Sequence, residues 1–134
     1  MASHEFELTA PPADPGEAEV WLQHAAGFIL WEDVRAYAAQ RLDTSLDAKA
    51  KAAALKAVDD ALYGLMMIVD GVSGRLRGGD HEVTLRLVAR LKHGAASKQL
   101  DLRDGDGMCM GYHGWREGDF GEPPVARRRE PSSD

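Results

Sequence analysis

From Leu55 to Val72 the chain repeats apolar side chains in steps of three and four: Leu55, Val58, Leu62, Leu65, Val69 and Val72, with Ala54 and Ala61 widening the stripe. A strand turns over every second residue and scatters such positions to both faces, whereas a helix gathers them on one side. Lys49, Lys51, Lys56, Asp59, Asp60 and Tyr63 take the other side. The spacing therefore predicts a long helix with one buried face. Thr44-Ser45-Leu46-Asp47 ahead of it is a Ser/Thr-x-x-acid start signal, and Gly71 and Gly74 accept the left-handed conformation that ends helices.

That buried face needs a partner, and the preceding segment offers one. Asp14-Pro15-Gly16-Glu17 combines a capping acid, a proline suited to the first helical position and an acid placed for a capping box. Ala18, Trp21, Leu22, Ala25, Phe28 and Ile29 follow at helical spacing. A helix is expected over about 16–42, with a break between 27 and 33, where Gly27 and the run Phe28-Ile29-Leu30-Trp31 blur the face. The short junction near 43–45 makes the two helices antiparallel neighbours.

After a loop at 73–81 the period changes to two. Val83, Leu85, Leu87, Ala89 and Leu91 alternate with Glu82, Thr84, Arg86, Val88, Arg90 and Lys92, which predicts a long half-buried strand. His93 to Ser97 turns, Leu100 and Leu102 face inward on a second strand, and Asp104-Gly105 is a hairpin signal that leads to a third strand over 107–113. The expected fold class is α+β: two antiparallel helices packed on a three-stranded antiparallel β-meander. Residues 1–13 read as a flexible leader or, through Phe6 and Leu8, a short edge strand. Residues 14–122 read as a single α+β domain and 123–134 as a disordered tail after Pro123-Pro124.

Charge and composition narrow the function. At 134 residues the chain can bury roughly two-thirds of its unfolded surface. Residues 1–47 carry nine acids against two arginines, while 75–103 carry seven bases against three acids, so the basic stretch has acidic neighbours to neutralise it. With a net charge of −6 this argues against nucleic acid as the partner. No apolar run approaches the roughly 18 residues that cross a bilayer, and Met1 to Glu7 shows no secretory pattern. The lone Cys109 excludes an internal disulfide and fits a cytoplasmic setting, and eleven Arg against five Lys suggest a GC-rich bacterial coding sequence.

The chemically richest stretch is 104–121, which holds Cys109, His113, Trp115 and six of the fourteen glycines. As a calcium loop it fails, because Met108, Cys109 and Trp115 fall where a ligand, a glycine and a bidentate acid are needed. As a phosphate cradle it lacks Gly-Lys-Ser/Thr. In a strand, Met108 and Met110 share the inward face as core residues, while Cys109 and His113 lie about 13 Å apart, too far for a thiolate–imidazole pair. No metal or cofactor is assigned, and no catalytic residue. Tyr112, His113, Trp115, Arg116 and Phe120 form an aromatic and charged cluster of the types enriched at binding hot spots, and are the expected ligand- or partner-binding residues.

The favoured function is a non-enzymatic bacterial interaction or regulatory protein, of accessory or inhibitor type, with a protein partner and with sheet edges open to homo-oligomer formation. The alternative is a small enzyme or ligand binder with its site around His113 and Trp115, where Asp104, Asp106, Glu117 and Asp119 offer acid–base partners. A second alternative is a nucleic-acid binder using Arg75, Arg77, Arg86 and Arg90.

Overall fold

In chain order the computed structural model, which describes residues 1–129, runs α1 (Ala2–Glu5), β1 (Phe6–Leu8), α2 (Pro15–Leu30), a π-helical turn (Trp31–Ala36), α3 (Tyr37–Gln40), α4 (Ala48–Val69), β2 (Arg75–Gly78), β3 (His81–Thr84), β4 (Val88–His93), β5 (Ala96–Asp101), a 3-10 turn (Leu102–Asp104), α5 (Met108–Arg116) and β6 (Val125–Arg127). The class is α+β, with the strands paired antiparallel in small sheets.

The apolar stripe becomes α4. Its cap is the acid of the start signal, since Asp47 accepts the Ala50 amide at 2.8 Å, one turn later than a Thr44 cap would give. Leu62, Met66 and Val69 are buried on it, and so is Asp59, which continues the stripe from Leu55 and does not belong to the solvent side. Asp14 caps α2 by accepting the Glu17 amide at 3.0 Å, with Pro15 at the first position. The expected break at 27–33 is no break. The helix passes from α2 through the π-helical turn Trp31–Ala36 into α3, and Arg35 on that turn reaches Asp59 of α4.

The three-stranded meander gives way to three separate two-stranded sheets among the described residues. The long strand expected over 82–92 stops at Leu85–Leu87. Its first part pairs backwards with residues read as loop, in register Leu76↔Val83, because Gly78-Gly79 closes a local hairpin. Its second part pairs forwards with β5, in register Ala89↔Leu100. The third strand, 107–113, is instead helix α5. Beyond Pro123-Pro124, where a solvated tail is expected, Val125–Arg127 pairs with Phe6–Leu8, and Thr9 extends the same clasp by donating its amide to Pro124 O at 3.0 Å. Residues 130–134 of that expected tail lie outside the described residues.

Helix α5 packs on both α2 and α4, so the two long helices bury their faces largely against it. Met108, Tyr112 and Trp115 project from its inner side into a cluster with Trp21, Leu62 and Met66.

Candidate functional site

A nine-residue helix with two glycines has little tendency to form alone. What holds α5 comes from elsewhere in the chain. Gly107 has no side chain to cap it, and Asp70, at the end of α4, does the capping: one carboxylate oxygen accepts the Met108 amide at 2.6 Å and the other the Cys109 amide at 2.9 Å. Its charge lies at the positive end of the helix dipole. The loop before α5 is held by buried Gln23, which donates to Gly107 O at 3.0 Å and accepts the Asp106 amide at 2.8 Å. Gly107 at φ 107° holds a conformation that other residues rarely adopt.

Trp115 slots between Gly27 and Gly111, where a β-carbon on either glycine would overlap the indole ring. Its ring N–H donates to His24 Nδ1 at 2.9 Å, and Phe120 stacks on it at 6.0 Å between centroids. His24 must therefore be neutral, with its proton on Nε2. Burial pushes its pKa below the ordinary 6.5 against the opposing pull of Asp119 and Asp106. Tyr112 donates to Asp59 at 2.9 Å, and the same carboxylate oxygen accepts Arg35 Nε at 2.8 Å, with Arg116 at 3.8 Å from the other. Burial works to raise the Asp59 pKa, but the bonds from Arg35 and Tyr112 outweigh it and hold the carboxyl below its ordinary range. Burial, then Asp59, push the Tyr112 hydroxyl up to about 12.

The five residues expected to form a binding cluster are thus divided. Tyr112 and Trp115 are buried, Phe120 is half-buried between Phe28 and Trp115, and only His113 and Arg116 are exposed. Met110, expected inward with Met108, is 74% exposed, because a helix sends positions 108 and 110 to different sides. The same geometry brings Cys109 and His113 to one face, four residues apart, beside the Tyr63 ring. The thiol there is not poised for attack: burial and then the Asp70 carboxylate raise its pKa. Asp119, an acid expected near His113, instead accepts the Gly121 amide at 2.9 Å.

The residues that organise this region include four that the cluster reading leaves out: Gln23, His24, Asp59 and Asp70. Asp59 carries a legible signal, an acid four residues after Leu55 and three before Leu62. Gln23 beside Leu22 carries a weaker one. Asp70 and His24 acquire their roles only through α5, which the strand reading conceals.

On the far side of α2 lies a trough of about 320 Å³ lined by Trp21, Ala26, Leu30, Leu87, Leu91 and their aliphatic neighbours, with Arg90 the only charged residue in its wall among the described residues. A second cleft of about 440 Å³, bounded by β1, α2 and β6, shares Leu8, Ala25 and Ile29 with it. Among the described residues no three of His, Cys, Asp or Glu gather where a metal ion could be held, and no helix is long and apolar enough to cross a membrane. In comparisons with known proteins, no family model, no curated protein and no solved structure matches this chain.

Proposed function

We propose that the protein acts by binding another protein, as a non-enzymatic accessory or inhibitor-type factor, and that the docking face runs from the β2–β3 hairpin into the trough beside α2. One observation carries this reading. The alternation from Val83 to Leu91 is the pattern of a strand that buries one face, yet only Ala89 and Leu91 are even half-buried. Val83 is 61% exposed, Leu85 60%, and Leu76 opposite Val83 is 75% exposed. A two-stranded hairpin with nothing packed on it is marginal in water, and contiguous bare apolar surface marks interaction sites.

Two features weigh against the alternatives. Arg75 and Arg77 pair with Glu82 at 3.4 and 2.7 Å, and Arg86 pairs with Asp101 at 2.8 Å, so three of the four arginines of the nucleic-acid reading already have acidic partners. On the Cys109–His113 face the thiol is pushed up by burial and by Asp70, which weighs against a nucleophile there. A bacterial cytoplasmic setting belongs to the same proposal and rests on composition.

The test is affinity capture from bacterial lysate with the wild-type chain and with Val83→Asp/Leu85→Asp. Both side chains are exposed, so the variant should keep its helical circular dichroism while losing the captured protein. Equal capture by both forms, or no specific partner for either, would overturn the reading.

A further inference from the structure

We infer that His24 is an acid-operated catch on the turn 117–122: on gaining a proton its ring leaves Trp115 for the Asp119 carboxylate and releases the turn at Gly121. This goes beyond the interaction reading and does not depend on it.

The catch has a fixed side and a movable side. Trp115 is the fixed side, 1% exposed, wedged between Gly27 and Gly111 and stacked by Phe120. Its indole N–H donates to His24 Nδ1 across 2.9 Å. An imidazolium carries a proton on both nitrogens, so two N–H groups would meet over that distance. The ring free to give way is the half-buried histidine. The turn is the movable side. Gly121, at φ 67°, lies so close to the imidazole that a β-carbon there would come 3.0 Å from Nε2. Its amide donates to the Asp119 carboxylate at 2.9 Å, while the Asp119 amide donates to Gly114 O at the same distance. The backbone of Asp119 is therefore anchored to α5, and its carboxylate can exchange one donor, the Gly121 amide, for another, the imidazolium. The turn leads to Pro123 and Pro124, whose carbonyls take the Thr9 hydroxyl and amide at 2.9 and 3.0 Å, so Gly121 moves just ahead of the β1–β6 clasp.

The surrounding charge favours the exchange. His24 stands between two clefts, of about 460 and about 230 Å³. Facing them are Asp14 and Glu17 from the start of α2, Asp106 from the loop before α5, and Asp119 and Glu122 from the turn. Helix α5 presents Met110, Gly111 and Gly114, and among the described residues no lysine or arginine lines either cleft. Burial lowers the His24 pKa, and Asp119 and then Asp106 oppose it. The seat beside Trp115 thus selects the neutral ring and the acidic clefts select the charged one. The catch is shut above the ordinary 6.5 and opens as the pH falls through the lower folded value.

Proton NMR titration of the full chain from about pH 8 to about pH 5, where histidine changes charge, tests the inference. The His24 ring should titrate with a midpoint below 6.5. Its Overhauser contacts with the Trp115 indole N–H and with Gly121 should disappear at that same midpoint, while the helical circular dichroism holds. Asp119→Asn keeps an acceptor for the Gly121 amide and removes the charge that receives the imidazolium, so the midpoint should fall further. His24→Gln should abolish the transition shared by Trp115 and Gly121. Contacts that persist in the imidazolium form, a midpoint unmoved by Asp119→Asn, or helical signal lost at the same midpoint would each defeat the inference.

Discussion

Tyr112 and Asp59 lie 53 residues apart and are joined by a hydrogen bond of 2.9 Å from phenol to carboxylate, and it is this carboxylate that ties three segments together. Arg35 on the π-helical turn and Tyr112 on α5 both converge on the same oxygen of it. An acid at a buried stripe position is costly unless its oxygens are satisfied, and here two donors satisfy one of them.

Removing one donor should therefore cost less than removing the acceptor. Tyr112→Phe leaves Asp59 bound to Arg35 and should lower stability by about 1 kcal/mol. Asp59→Ala strands the guanidinium and the phenol together and should cost about 2–3 kcal/mol. Urea denaturation of both variants checks the order, and an Asp59→Ala protein as stable as Tyr112→Phe would contradict it. The Asp59 pKa is depressed in the fold, so its contribution is whole above the ordinary 3.8 and is lost as the pH falls through the folded value.

Gly27 interrupts the apolar face of α2 for the sake of Trp115. In an exposed helix Gly→Ala would gain about 1 kcal/mol. Here the added methyl meets the indole ring, and overpacking of this kind costs ~1–3 kcal/mol. Gly27→Ala should lower the melting temperature despite its better helix propensity, and should shift the tryptophan fluorescence. A rise in melting temperature would show that Trp115 has room to move.

Stability should also depend on His24. Its folded pKa lies below 6.5, so between the two values the unfolded chain binds more protons than the folded one. The stabilisation is complete above 6.5 and drains away as the pH falls through the folded pKa, when protonation of Nδ1 removes the acceptor for Trp115. His24→Gln keeps an acceptor without the titration, and should flatten the fall in urea midpoint across this window. An equally steep fall in both proteins would place the titrating group elsewhere.

For Cys109 the expectation is sluggishness. With its thiol pushed up by burial and by Asp70, alkylation at neutral pH should run slower in the folded protein than in the urea-unfolded chain. Asp70→Asn should speed it, and should cost about 1 kcal/mol through the weakened cap on α5. Native alkylation as fast as that of the unfolded chain would refute the assignment.

The legible parts of the fold are those whose signals are local. Leu55 to Val69 repeats for several turns, and Asp14-Pro15 announces the start of α2, so both helices can be read from sequence alone. Helix α5 cannot be read in that way, because its cap is Asp70 from another element and its glycines make room for Trp115, facts invisible to a propensity argument. Its one sequence signal, Met108, Tyr112 and Trp115 in steps of four and three, competes with the strand reading suggested by Asp104-Gly105. The strands fail differently. Alternation from Val83 to Leu91 marks which side chains want cover but not which strand supplies it, and Gly78-Gly79 diverts the first half into its own hairpin. As for the expected binding cluster, composition gives no sign that Tyr112 and Trp115 face inward, because that depends on the helix that replaces the expected strand.

The clasp of β1 on β6 joins the most widely separated segments of the described chain. Closing so long a loop carries the largest closure entropy in the described chain, and its segments lie near the ends of that chain, so it belongs at the low-stability end of the molecule's openings. Leu8, at the junction of the two clefts, is carried on that clasp. The clasp's ties to α2 are the Phe6–Phe28 ring contact at 4.8 Å and the Trp21 indole N–H donated to Thr9 at 3.4 Å, so the wall of the trough on that side is only as durable as a pairing of the chain's two outer segments.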